Sequence, residues 1–421
     1  MKRFFTTLAV LLCCALATAQ QYANPEFILL IREDLTRAAV NMNSYEFNPI
    51  SDTPAPKGYK PFYISHYGRH GSRSNWGDAH YKSVISVLTN ARQKGILTAE
   101  GEALLGEATA VLEGYNGMDG RLTPRGVREH RQIAERMYRR FPDVFKKGSK
   151  NVVVNCSTSQ RCIISMASFT NSLTACQPDL HWSFDTGEKI YAYISSDRSS
   201  EQKKKEMAML APIYAAPTDT TWVLGHLFTD PAAGRALIGD INAFQNDIWE
   251  TAAIAECFDV PGQVFRHLPF DVVCKYSDAL NRLFYLGHCN SVEFGPDRME
   301  RGRPLVDDVL RRADAAIANG DVCADLRFGH DYGLLALASY LGIEGVGDRL
   351  SFDEIPQKWF GASLICMASN LQIVFYKNRK GHVLVKFVYN EKECPLRGLE
   401  PVSGPYYDWE TVRADIAGYK R

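Results

Sequence analysis

The run HYGRHGSRS, residues 66 to 74, sets two arginines, Arg69 and Arg73, around one imidazole, His70, with Gly71 between them. Two guanidiniums beside an imidazole repel one another, so such a cluster either surrounds an anion or is a solvated turn. Guanidinium forks match the oxygens of a phosphate. Surrounding cations disfavour the protonated ring, so His70 keeps a nucleophilic nitrogen in mild acid. His66, on the preceding strand, reads as a packed core histidine.

Two further runs carry polar residues at the end of a short apolar strand. CSTSQR ends in Arg161, and RFGHD supplies His330 and Asp331. In an open α/β sheet, ligands bind beyond the carboxyl ends of the strands, and phosphates favour the helix N-termini found there. If the three strand ends converge, Arg69, Arg73 and Arg161 hold a phosphate and His70 attacks it. Asp331, its pKa raised by the bound anion, gives its proton to the departing oxygen. Taken singly, Arg161 reads as a helix N-terminal residue and His330-Asp331 as a helix cap. Their joint placement is what suggests a site.

Other templates fail. No GxxxxGK[ST] loop, HExxH helix or GxSxG elbow occurs. GEALLGEAT, from Gly101, has the glycine spacing of a phosphate loop but lacks its lysine. Lys203, Lys204 and Lys205 read as a solvated helix face, with a grip on a polyanion as the minor reading.

The elements that position these residues follow from periodicity. NPEFILLIREDLTRAAVNM from Asn24 predicts an amphipathic helix, PFYISHY a strand, and 78 to 115 two or more helices. LTPRGVREHRQIAERMYRRF predicts a helix with Pro at its start and Val127, Ile133, Ala134 and Met137 inward. NVVVNCST, HWSFD, IYAYIS and VCADLRFG predict strands. GRALIGDINAFQNDIWETAAIAECF, RPLVDDVLRRADAAIAN and YGLLALASYLGI predict helices. SLICMASNLQIVFYKN and HVLVKFVYN, separated by RKG, predict a terminal strand pair. Strands and helices alternate at both ends, which argues for an α/β fold interrupted by a mostly helical insertion at 175–300, the α/β part being 20–174 with 301–421.

The 421 residues balance 48 Lys and Arg against 48 Asp and Glu, so nothing global points to nucleic acid or an anionic membrane. Lys2 and Arg3, the apolar run Phe4 to Leu16, and Ala17-Thr18-Ala19 predict a signal peptide over 1–19, with export to the periplasm or beyond. A lipid anchor at Cys13 or Cys14 ranks lower, because Leu12 is large. No other run predicts a membrane span. Nine cysteines follow the leader; an odd number leaves at least one thiol free, and those in apolar runs, such as Cys366, read as small buried hydrophobes.

GRHGSR resembles the RHGxR signature of the histidine acid phosphatases, the second branch of the histidine phosphatase superfamily. LTPRGVREHRQIAERMYRRFP is similar to that family's Leu-Thr-x-x-Gly helix. CSTSQRCIISM resembles its Ser-Thr-x-x-x-Arg segment, with Cys162 where Thr is common, and FGHD its His-Asp motif. VKFVYNE before Pro395 resembles its last strand. The matches run in the family's order from about residue 60 to 396.

The resemblance implies a phosphoglycerate-mutase-like central sheet with flanking helices and a helical cap, without cofactor or metal. It makes His70 the nucleophile and Asp331 the proton donor, with Arg69, Arg73, Arg161 and His330 on the phosphate. The partner is a small phosphomonoester, phytate or another inositol phosphate, or a sugar phosphate. SNWG stands where the family often has Pro, in the region shaping the leaving-group pocket. His330-Asp331-Tyr332 is nearer to acid phosphatases, phytases and glucose-1-phosphatases than to the His-Ala-Glu usual in multiple inositol polyphosphate phosphatases. Other readings are a mutase or phosphotransferase of the superfamily, and a non-catalytic binder of phosphorylated ligands, which would need only the arginines.

Overall fold

The computed structural model describes residues 25–45, 47, 52–195, 198–260 and 263–418; the signal peptide expected at 1–19 lies outside them. Eight strands are described: β1 Lys60–Arg69, β2 Asn151–Cys156, β3 His181–Thr186, β4 Ala324–Gly329, β5 Asn370–Lys377, β6 Val383–Tyr389, β7 Lys392–Glu393 and β8 Tyr406–Asp408. The helices used below are α1 Pro25–Glu33, α2 Ala79–Gln93, α3 Ala99–Tyr115, α4 Pro124–Arg140, α5 Gln160–Cys176, α6 Glu188–Ile194, α7 Thr221–Leu227, α8 Ile241–Ala255, α9 Phe270–His288, α10 Gly295–Asn319 and α11 Asp331–Tyr340.

The strands form one mixed sheet in the order β3-β2-β4-β1-β5-β6-β7, with β8 on β6. β3, β2, β4 and β1 run parallel; β5 and β6 are antiparallel. β4 comes late in the chain yet lies between β1 and β2, so the ends of the three motif-bearing strands are neighbours. Gly329 pairs with Arg69 and Phe328 with Cys156. Every residue of β4 is buried, as a central parallel strand requires.

The two-residue period of β1 sends Tyr63 and Tyr67 to one face, with α10 and α11, and Ile64 to the other, with Ile133, Met137 and Phe169 of α4 and α5. His66 points to the same side as Ile64, 1% exposed between Phe169 and Phe328, with ring centroids at 5.2 and 5.4 Å. It is a core histidine.

A third core is built mainly by helices. Tyr81, Leu88, Leu104 and Val111 of α2 and α3 share it with Val223 of α7 and Ile248 and Trp249 of α8. The helical lobe therefore draws on the β1–β2 connection as well as on the later segment. The start of 175–300 belongs to the sheet, because β3 pairs with β2 along its whole length.

Five local expectations differ from the structure. The strand expected from Ser363 begins only at Asn370, after the short helix Gly361–Leu364. IYAYIS is helix α6, where Ile190 and Ile194, four apart, are both buried; helical spacing outweighs the apparent alternation. The long helix from Gly234 breaks at Gly239, with Asp240 accepting from Asn242 and Ala243 N–H to start α8. α1 stops at Glu33, and Asp34 caps a separate 3₁₀ segment, Leu35–Met42. RPLVDD lies inside α10, which starts earlier at Gly295. All nine described cysteines are free thiols, and burial pushes Cys162, Cys257 and Cys289 up to about 12, far from reactivity.

Candidate active site

β1 delivers Arg69 as its last residue, and His70 follows with its backbone held from two sides. His70 N–H donates to Gly329 O (3.0 Å) and His70 C=O accepts from Ala368 N–H (2.9 Å). The next turn is set by α4. Ser72 C=O accepts from Thr123 N–H at 2.9 Å, and Ser74 N–H donates to Arg121 O at 2.9 Å. Glu129, two turns into α4, accepts from Ser72 N–H and Ser72 Oγ, both at 2.7 Å. Gly71 and Gly126 meet face to face; a Cβ on Gly71 would lie 2.6 Å from Gly126 O. The Leu-Thr-x-x-Gly motif thus fits the arginine-histidine loop by contact. Glu129 is a site-building residue that no spacing in the sequence revealed.

His70 is 2% exposed. Its Nδ1 lies 3.0 Å from Gly71 O, and a carbonyl can only accept, so Nδ1 carries the proton. Nε2 is left with its lone pair. Burial, then Arg69, Arg161, His330 and Arg73, hold the imidazole well below its ordinary pKa, so it is neutral in mild acid as expected.

Arg69 is wholly buried. Its Nη1 donates to Asn41 O and Ile365 O, and its Nη2 lies 2.9 Å from Asp331 Oδ2. Asp331, first residue of α11, also accepts from Asn41 Nδ2 (3.4 Å) and Tyr332 N–H (2.9 Å). Burial pushes the Asp331 carboxyl up, but Arg69, His288, His330 and Arg73 outweigh it, and the group lies well below the usual carboxylate range. Without a phosphate, Asp331 is therefore an ionised partner of Arg69.

His330 caps α11, with its N–H on Tyr67 Oη (3.1 Å). Arg161 Nη2 lies 3.1 Å from His330 Nδ1, and a guanidinium only donates, so Nδ1 accepts. His330 Nε2–H then donates to Ser157 Oγ at 3.0 Å. Burial, with Arg161 the next cause, lowers this imidazole to about 3. Both nitrogens are engaged, so His330 holds Arg161 rather than offering a free donor.

Arg73 and Arg161 both stack on Trp76, with their guanidinium carbons 5.3 and 4.9 Å from the ring. Trp76 is 63% exposed, so SNWG places an aromatic at the solvent side of the arginines. Burial, together with Arg161 and Arg69, lowers Arg73 to about 10, the mark of a site short of negative charge. The Nε atoms of Arg69, Arg73 and Arg161 are buried without hydrogen-bond partners.

All six expected residues thus gather at one end of β1, β2 and β4. A sequence model described as histidine phosphatase superfamily (branch 2) matches residues 68–236, which include His70 and its loop. No curated protein matches the chain by sequence. The Bifidobacterium longum multiple inositol polyphosphate phosphatase in complex with inositol hexasulfate superposes with a TM-score of 0.70 at 17% identity, covering 91% of this chain and 98% of that one. The same enzyme with phosphate gives 0.71 at 18% identity, covering 91% and 98%. The D. castellii phytase gives 0.66 at 14% identity, covering 91% and 86%. At such identities the likeness is one of fold, and the mixed sheet with flanking helices is the histidine phosphatase fold. The family match and the shared fold support a phosphomonoester hydrolase, and no helix among the described residues is long and apolar enough to cross a membrane.

Proposed function

We propose that the enzyme hydrolyses phosphomonoesters through a phosphohistidine at His70. The observation that carries the reading is the charge and donor balance around that ring. Three guanidiniums and one carboxylate leave two uncompensated positive charges, and three buried Nε–H groups lack partners. A phosphoryl dianion supplies both what the charges and what the donors need.

In the first step His70 Nε2 attacks phosphorus, the P–N bond forms and the ester P–O bond breaks. Asp331 passes its proton to the leaving oxygen. In the second, water attacks phosphorus, Asp331 takes the water proton, the P–N bond breaks and phosphate leaves. Arg69, Arg73 and Arg161 hold the charge on the equatorial oxygens throughout. His330 orients Arg161, and reaches the phosphate itself only when Arg161 turns to the anion.

Asp331 is ionised while Arg69 is its partner. A phosphate that engages Arg69 offsets the cations that hold the Asp331 pKa down. Burial, its largest single influence, then favours the neutral acid. Substrate binding thereby arms the donor.

The substrate class we propose is an inositol polyphosphate, with sugar phosphates next. The fold shared with the Bifidobacterium longum enzyme and the D. castellii phytase supports this. The helical lobe built by α2, α3, α7 and α8 is our candidate cap. Export rests on Lys2, Arg3, the apolar run and Ala17-Thr18-Ala19.

His70→Ala tests the assignment. It should abolish turnover while inorganic phosphate still binds within a few-fold. Turnover retained by this variant rules out the nucleophile.

A further inference from the structure

Away from the arginines, the helical lobe holds a second cluster of chemistry-bearing side chains. Glu100 lies in the first turn of α3, His226 near the end of α7, and His267 ends the 3₁₀ turn Val264–His267. Three atoms converge. His226 Nε2 lies 3.3 Å from His267 Nδ1 and 3.9 Å from Glu100 Oε2, and His267 Nδ1 lies 3.5 Å from Glu100 Oε2.

Those separations match a metal polyhedron. Ligands at about 2.0–2.1 Å from a tetrahedral zinc ion stand about 3.3–3.4 Å apart. Two edges, at 3.3 and 3.5 Å, lie within about 0.2 Å of that spacing, and the third, 3.9 Å from His226 to the half-exposed Glu100, is about 0.5 Å longer.

The surroundings are those of a prepared ligand set. His267 is wholly buried, and its Nε2 lies 3.0 Å from Glu107 Oε2, about two turns further along the same face of α3. A carboxylate only accepts, so Nε2 carries the proton and Nδ1 presents its lone pair to the cluster. A second carboxylate fixing tautomer and ring angle is the usual support of a metal-bound histidine. Glu107 is itself held by Arg266 Nη1 at 2.7 Å. Trp222 stacks on His226 at 4.3 Å with rings 18° apart, fixing the second imidazole. Glu100 Oε2 is a buried atom without a hydrogen-bond partner.

We propose that Glu100, His226 and His267 bind one zinc-class divalent cation, with Glu107 orienting His267 and solvent completing the coordination. The ion joins three segments of the lobe that are far apart in sequence, so its effect is on the lobe's stability. None of its ligands belongs to the phosphate site.

The competing arrangement is a metal-free network. There His226 Nε2–H donates to His267 Nδ1, and Arg266 Nε, 3.6 Å from Glu100 Oε2, balances that carboxylate. Metal content decides between them. Tag-free full-length enzyme, stripped with chelator, is loaded with zinc and freed of excess, and metal per chain is measured by mass spectrometry. The wild type should hold one zinc more than His226→Ala or Glu100→Gln and show a higher Tm with zinc than without. Glu107→Gln should weaken zinc affinity about 10–100-fold. Cobalt in place of zinc should give visible absorption that both ligand variants lose. Glu100 is half exposed, so Glu100→Gln guards against a failure of His226→Ala to fold. Equal zinc in wild type and Glu100→Gln, or a Tm indifferent to zinc, overturns the proposal.

Discussion

Arg69 Nη2 and Asp331 Oδ2 lie 2.9 Å apart, and this one pair links the proposed phosphate anchor to the proposed proton donor. Losing the donor should therefore cost most where the leaving group most needs a proton. Asp331→Asn should lower kcat on phytate and glucose 1-phosphate by about 10²–10⁴ and on p-nitrophenyl phosphate far less, since nitrophenolate leaves unaided. Equal losses on all three substrates contradict the donor role.

Three buried histidines set a pH dependence of stability. Burial lowers His66 to about 3, His130 to about 4 and His330 to about 3. The unfolded chain takes up their protons near pH 6.5 and the folded one does not. Their neutral forms cost nothing above that pH, and stability falls as pH drops from 6.5 towards 4. Each contributes about 1.4 kcal/mol per pH unit within that window. Denaturant titrations at pH 7 and pH 5 should show the loss. His66→Phe, its ring set between Phe169 and Phe328, should reduce the slope by one proton.

Much of the site was legible in the sequence because its residues sit at strand ends, where short apolar runs flag them. β1, β2 and β4 each stop at a motif, and β4's insertion between the other two turns three distant runs into one edge. Asn41 was not legible. It contacts both Arg69 and Asp331 from a 3₁₀ segment whose spacing reads as the continuation of α1. Helical spacing assigns Glu129 no partner, and only the fold turns it onto Ser72. The pairing of Asp331 with Arg69 was not legible either, because it is a relation across the strand ends, set by tertiary structure.

Gly126→Ala should damage the site from outside it. A methyl there would press on Ser72 O and lie 2.8 Å from Ser72 N, both backbone atoms that cannot give way. A loss of about 1–3 kcal/mol is expected, with kcat falling as the His70 loop shifts. Thermal unfolding and steady-state kinetics on one preparation check both. An unchanged Tm contradicts the packing argument.

Trp76→Ala should act on binding. The ring stacks on Arg73 and Arg161, each contact worth about 0.5–1 kcal/mol where exposed. KM should rise several-fold with kcat within about twofold, since the arginines keep their charge. A large fall in kcat at constant KM would place Trp76 in the transition state instead.

The central claim is the covalent intermediate on His70. The direct measurement is rapid mixing with ³²P-labelled substrate, an alkaline quench that preserves phosphohistidine, and peptide mapping of the label. Label should appear on His70 at the first turnover and should be absent from His70→Ala. Full turnover with no protein-bound label, or label on another residue, would contradict it.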